Sequence, residues 1–306
     1  MAEFIDKILA KVDKENLLES LGSRLPGSEF NSLLLEVFKN RAATITPAGL
    51  LHAFENNRFV SVSDVDVIAA KELELQWLKE SLRDGFKPVT LSPLTPLGTC
   101  SSMATVHQHK VVSALRGTEV VADATNVLAL VLASDFKNDI RHEVIQRYCT
   151  VHRHVRSQHF DNPAFSAHFS IFCLASGGFD RGNFSFEFSE LKQALSVLLR
   201  LLTSSIPGCL PEIHFYVKTD SNSFQEKLNR LASDLGQPFE IKFQPDNSYY
   251  ETLQFKIFLR KDQTMIDMAD GGFVNWTQQL LGNQKHRMLI AGVGIDLIHR
   301  LFSGSR

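Results

Sequence analysis

Two adjacent segments constrain the fold of this chain more than any other part of it. VIQRYCTVHRHV (residues 144–155) and AFSAHFSIFCLAS (residues 164–176) alternate side chains with a period of two, and the turn-prone HFDNP lies between them. The pattern predicts two antiparallel neighbours in a sheet. Further strand-like runs cover 212–218, 239–243 and 248–259, and helical spacing covers 125–133, 189–203 and 224–235. Strands and helices in this order, without strict βαβ alternation, give an α+β class: a mostly antiparallel sheet flanked by helices.

Residues 1–62 read as a helical N-terminal segment ahead of a core over 63–306. Phe4, Ile5, Ile8, Leu9 and Val12 fall at helical spacing, as do Leu33, Leu34, Leu35, Val37 and Phe38, with a break at Leu25-Pro26-Gly27-Ser28. Thr46-Pro47 starts another helix. Packing against the core is the plain expectation for this segment; a cap that binds a protein partner is the alternative. Residues 63–83 form one long amphipathic helix, with Val67, Ile68, Leu73, Leu75, Trp77, Leu78 and Leu82 on its apolar face. A strand with Val89 and Leu91 on one side follows. Residues 98–102 read as a loop, 119–122 as a strand, 266–272 as a short helix-like stretch, and 287–302 as a strand running into a helix.

Composition narrows the function classes. The net charge is −2 and no block of basic residues stands out, which argues against tRNA or any similar polyanion as a partner. Phe is abundant (23) and Trp rare (2), which suits a packed sheet better than a platform for stacking bases. Cys100, Cys149, Cys173 and Cys209 show no CxxC spacing, so reduced thiols are the default. The N-terminus alternates charges and does not read as a signal peptide. No stretch approaches the roughly 18 apolar residues of a membrane span. A cytoplasmic chain is expected. His107/His109 and His152/His154 are HxH pairs that could face one side of a strand, but no acidic or thiol partner adjoins them, so no metal site is assigned.

Several motifs, in order, resemble the class II aminoacyl-tRNA synthetase catalytic core, closest to histidyl-tRNA synthetase and the ATP phosphoribosyltransferase regulatory subunit. The helix of 63–83 with its strand and Pro93 or Pro96 resembles motif 1. VADATNVLAL resembles LRPEGTxxxxR, with Asp123 at the carboxylate position and Thr125 at the threonine. Arg153 and Phe165 stand twelve residues apart, as the arginine and phenylalanine of motif 2 do. Tyr249 and Tyr250 match the YYTxTVFE strand, Gly271 and Gly272 the GGRYD turn, and GVGIDLIH the closing motif 3.

The resemblance implies a homodimer through the motif 1 element. It also implies an amino acid site in which Asp123 and Thr125 hold the amino group, Arg153 bridges carboxylate and phosphate, and Phe165 packs on adenine. ATP with magnesium is the family's cofactor, and here its positions are eroded. Val155, Asp161 and Ala167 replace the motif 2 glutamate, loop arginine and glutamine; GGFVN replaces GGRYD; Asp296 and His299 replace the motif 3 glycine and arginine. One oxyanion-stabilising group is worth about 2.7–4 kcal/mol in the transition state, so losing several argues against adenylation. The cofactor is left open. Residues 219–247 are much shorter than the family's inserted domain, and the end at Arg306 leads us to expect no anticodon-binding domain. The resemblance therefore implies a non-translating paralogue that binds an amino-acid-like small molecule or a protein partner in a regulatory role. An ATP-dependent amino acid ligase and a scaffold are the alternatives.

Overall fold

The computed structural model describes residues 16–138, 144–157, 166–261 and 264–302, and the structural statements below concern these residues. After two short helical turns (Leu17–Glu19 and Ser20–Arg24) come helices α1 (Gly27–Ala42) and α2 (Pro47–Glu55). Thr46 caps α2 by accepting the Gly49 N–H at 3.1 Å, with proline at the first helical position. Residues 27–42 and 47–55 are helical, but they are not packed into the core. Neither helix buries a residue, and Phe38, Leu50, Leu51 and Phe54 are exposed. Polar contacts fasten the segment instead. Gly117 N–H donates to Asn31 (3.1 Å), Arg58 to the Ser157 carbonyl (2.5 Å), and His168 Nε2 meets the Ser61 carbonyl (2.5 Å), while just past the segment Arg300 pairs with Asp64 (2.7 Å). Phe4 to Val12 lie outside the described residues.

Helix α3 (Val67–Arg83) starts on Asp66, whose carboxylate accepts the Ile68 and Ala69 N–H groups. Its buried stripe is Ala70, Leu73, Glu74, Trp77 and Ser81, at i, i+3, i+4, i+7 and i+11. Val67, Ile68, Leu75 and Leu82, expected on the same face, are exposed. Ile68, Leu75 and Leu82 are spaced by seven and form a second stripe on the outer side. Trp77 is fully buried, stands edge-on to Phe172 with ring centroids 5.2 Å apart, and donates to Ser205 Oγ at 2.8 Å.

The remaining elements are β1 (Lys87–Pro88), β2 (Leu94–Pro96), α4 (Thr99–Met103), β3 (Ser113–Ala114), β4 (Thr118–Val120) and α5 (Ala124–Asn138), then β5 (Gln146–Val155), β6 (His168–Phe179), α6 (Ser185–Ser205) and β7 (Pro211–Val217). They continue through α7 (Asn222–Asp234), β8 (Phe239–Phe243), β9 (Leu253–Lys261), β10 (Thr264–Val274), α8 (Trp276–Leu281), β11 (His286–Gly294) and α9 (Ile295–Phe302). The main sheet has eight strands in the order β1-β5-β6-β11-β10-β9-β7-β8, and β2-β4-β3 form a small second sheet. All neighbours in the main sheet are antiparallel except the outer pairs β1/β5 and β7/β8. The class is therefore α+β with a mostly antiparallel sheet, as the alternation of 144–155 and 164–176 predicts.

Two readings need correction. Residues 266–272 are not helical; they are the body of β10, paired with β9 and β11. Gly271 and Gly272 are thus strand residues rather than a turn. A Cβ on Gly271 would stand 2.5 Å from the Phe255 ring, and one on Gly272 would stand 2.4 Å from the Leu253 carbonyl and 2.6 Å from the Tyr250 ring. Glycine is required there by close approach, not by backbone conformation. Residues 98–102 contain a short helix rather than a loop, because two carboxylate oxygens of the buried Glu119 accept the Gly98 and Cys100 N–H groups.

Each face of the sheet has its own apolar core. One core joins α3, α6, α7 and α9 to Cys149, Phe172, Leu174, Phe255, Leu289 and Ala291. The other joins α5 and Trp276 to Tyr148, Cys173, Ala175, Tyr250, Met288 and Ile290. A cavity of about 560 Å³ opens on this second face.

Candidate functional site

Strand parity selects the side chains that reach the cavity. On β5 the residues of even number turn toward the α5 face: His152 and His154 are buried while Arg153 is exposed. His154 lines the cavity, and so does Arg156 just past the strand. From β6 come Ile171 and Cys173, and from β11 Ile290, Gly292 and Gly294. A side chain at Gly292 or Gly294 would share the parity of Ile290 and fill the floor. Gln254 of β9, Asp270 of β10, and Tyr249 and Tyr250 just ahead of β9 complete that side. The segment between β4 and α5 supplies Ala122 and Asp123, and the first turn of α5 supplies Thr125, as the opposite wall, with Cys100 and Lys110 beside them.

Asp123 is the best-connected group. Its Oδ1 accepts the Thr125 N–H (2.9 Å) and hydroxyl (2.7 Å), its Oδ2 accepts the Tyr249 hydroxyl at 3.3 Å, and Arg156 stands 4.0 Å away. Arg156 is positioned by donating to the Ala122 carbonyl at 2.9 Å and by lying over the Phe169 ring at 5.3 Å. The Tyr249 ring packs edge-on to Tyr250 and to Trp276. Asn247 sets both tyrosines by accepting their backbone N–H groups at 3.0 Å, and donates to Gln254 at 2.8 Å. Gln254 in turn donates to Asp270 at 2.8 Å, and Tyr250 hydrogen-bonds the same carboxylate.

The protonation states follow from burial. Desolvation pushes Asp270 up to about 6. It pushes His154 down to about 3, so this ring is neutral at physiological pH. Its Nε2 accepts the Ala124 N–H at 3.0 Å, which puts the ring proton on Nδ1. Burial, aided by the Asp123 and Glu119 charges, pushes the Cys100 thiol up to about 12, and burial raises Cys173 well above its usual range. Both stay as thiols, unsuited to nucleophilic attack. Tyr249 and Tyr250 are likewise raised and act as hydrogen-bonding phenols. Among the described residues no group of three or more His, Cys, Asp or Glu could hold a metal. His107 and His109 lie on a 3-10 turn rather than a strand, and His152 contacts the Ser92 carbonyl at 3.2 Å.

Of the residues picked from sequence, Asp123, Thr125, Tyr249 and Tyr250 come together in the cavity. Gly271 and Gly272 lie in the adjoining strand, and Gly272 makes room for the Tyr250 ring. Tyr249 and Tyr250 precede the strand expected to contain them. Arg153 does not join the cavity. It lies on the other face, donating to His168 (2.8 Å) and Ser170 (3.3 Å), 3.6 Å from the buried Asp296. Phe165 and Asp161 lie outside the described residues. Sequence reasoning missed Arg156, His154, Gln254 and Asp270. Parity held a signal for the first two: His152, His154 and Arg156 share one side of a strand, opposite Arg153. At the motif 3 end, Asp296 is buried and Arg300 is turned to Asp64.

No protein-family model matches the sequence, and no curated protein matches it. Solved structures do. The apo histidyl-tRNA synthetase of S. aureus superposes with a TM-score of 0.60 at 12% identity, covering 80% of this chain and 70% of that one. An ATP phosphoribosyltransferase regulatory subunit/histidyl-tRNA synthetase from Bacillus halodurans C gives 0.58 at 13% identity, covering 78% and 80%. A histidine–tRNA ligase subunit from Alicyclobacillus acidocaldarius gives 0.58 at 10%, covering 81% and 97%. The fold is that of the class II aminoacyl-tRNA synthetase core. At these identities the likeness speaks for fold alone.

Proposed function

We propose that this chain is a non-translating paralogue of histidyl-tRNA synthetase that binds an amino-acid-like small molecule in a regulatory role, with adenylation lost. One observation carries the reading. Within a single cavity, Asp123, tied to Thr125 and Tyr249, faces Arg156 and Lys110. A carboxylate with a guanidinium 4.0 Å from it, and a lysine lining the same cavity, suit the adjacent ammonium and carboxylate of an amino acid. The Ala122–Thr125 wall and the tyrosine pair lie where the chain enters α5 and β9, and are fixed there by the Asn247, Thr125 and Tyr249 hydrogen bonds. The ATP side lacks comparable equipment: the motif 3 position holds His299, and Arg300 is taken by Asp64.

Calorimetric titration with each amino acid, alone and with ATP, tests the proposal. Saturable binding of an amino acid without ATP–pyrophosphate exchange supports it. Exchange at synthetase-like rates overturns it in favour of an ATP-dependent ligase. We further propose that the chain works as a cytoplasmic homodimer. The outward Ile68/Leu75/Leu82 stripe of α3 supports the dimer, since a single helix face with three exposed aliphatics is the kind of surface association covers. The exposed residues of α1 and α2 favour a second reading, a protein partner docked on the N-terminal helices.

A further inference from the structure

Two carboxylates besides Asp123 line the cavity, those of Asp267 and Asp270. Asp123 already serves the ammonium end, and Asp270 stands across the floor on β10. Among the described residues no cation forms an ion pair with it within 4 Å, although the charge of Lys256 acts on its carboxyl. Lys256, opposite Asp270 in the β9–β10 ladder, gives its ammonium to Asp267 at 2.5 Å. Asp270 is held by neutral donors instead, the Gln254 amide at 2.8 Å and the Tyr250 hydroxyl. These donors orient the carboxylate without neutralising it. Lys256 and Asp267, Tyr250 and Tyr249, and Gln254 are the charged and polar groups that face it. A half-buried anion on a cavity-lining strand, without an ion pair of its own, is what a cationic ligand group would complete.

We propose that Asp270, oriented by Gln254 and Tyr250, determines specificity in this cavity, and that the amino-acid-like ligand carries a cationic side chain, an ammonium or a guanidinium. This inference rests on the cavity taking an amino-acid-like ligand as proposed above. The ligand's α-ammonium meets Asp123, its carboxylate meets Arg156, and its far end meets Asp270. Burial holds the Asp270 carboxyl near 6, so protons compete with the ligand cation below that pH.

The experiment is calorimetric titration of the full chain with L-lysine, L-arginine and their neutral counterparts L-norleucine and L-citrulline, at pH 7.5 and pH 5. A basic amino acid should bind at least about tenfold more tightly than its neutral counterpart at pH 7.5, the effect of one charge-assisted hydrogen bond. The lysine and arginine arms separate ammonium from guanidinium. At pH 5 the preference should shrink roughly tenfold, while binding of the neutral ligand is unchanged. Asp270→Asn should erase the preference at pH 7.5, bringing the ratio of basic to neutral affinity to about one. The pH arm uses the native chain, so the result stands even if the variant folds poorly. Equal or tighter binding of norleucine, citrulline or L-glutamate overturns the cationic specificity while keeping the amino acid site. Absence of binding by every amino acid overturns both.

Discussion

Asp270 illustrates at the residue scale how a partly desolvated carboxylate opposes stability. Its folded pKa, about 6, lies above the ordinary 3.8. The folded chain therefore binds more protons than the unfolded one between those values, and this residue adds stability as the pH falls through that window. Asp270→Asn should raise stability at pH 7.5 by on the order of 1–3 kcal/mol, with the gain gone by about pH 4, as urea unfolding at both pH values would register. His154 acts with the opposite sign. Its folded pKa of about 3 lies below the ordinary 6.5, so its contribution is lost as the pH falls from about 6.5 toward 3. The two arginines of the β5 end separate in the same way by chemistry and place. Arg156→Ala should weaken amino acid binding by about tenfold or more, whereas Arg153→Ala should change it by less than about twofold, measured by calorimetry. Both arginines were visible in the sequence. Which of them faces the cavity depends on the side of β5 that the cavity occupies.

At the scale of elements, the N-terminal segment is latched rather than embedded. Arg300 of α9 holds Asp64 at 2.7 Å, and this pairing keeps the Asp64 carboxyl below its usual 3.8. A depressed acid contributes stability above its unfolded pKa and loses it as the pH falls through the folded value. Asp64→Asn should therefore lower the melting temperature slightly at pH 7 and leave it unchanged near pH 2, with the exposed site keeping the effect small. Helix α3 shows the limit of reading an amphipathic face from one sequence. Its apolar residues occupy two stripes, one through Leu73 and Trp77 and one through Ile68, Leu75 and Leu82. Periodicity locates both and ranks neither. Strand β10 was misread because DMADGG lacks the β-branched and aromatic residues that mark a strand. It is a strand because β9 and β11 pair with it on both sides.

For the whole molecule, two apolar surfaces lie outside both cores: the outer stripe of α3 and the faces of α1 and α2. They make different predictions about association. If α3 joins two copies, Leu75→Glu should yield a monomer in light scattering while Leu50→Glu stays dimeric. The reverse pattern would place the contact on the N-terminal helices. A native chain that is monomeric at all concentrations would remove the homodimer. The solved structures with this fold do not decide the matter, since at 10–13% identity they share the frame and few of the surface residues.

By itself the sequence determined the strand pair within 144–155 and 164–176, the helices and strands between 189 and 243, and the α+β class they make together. It also brought Asp123, Thr125, Tyr249 and Tyr250 forward as one site. These features rest on local periodicity and motif order, which neighbouring residues carry among themselves. Tertiary structure alone decided which sheet face holds the cavity, and with it that Arg156 replaces Arg153 and that Asp270 and Gln254 join the site. It also decided that Gly271 and Gly272 serve close packing rather than a turn. Each of those outcomes depends on contacts between residues distant in the chain, such as Gly272 with Leu253 and Tyr250, or Tyr249 with Asp123. A period of two fixes which side chains share a face. It leaves open what each face meets.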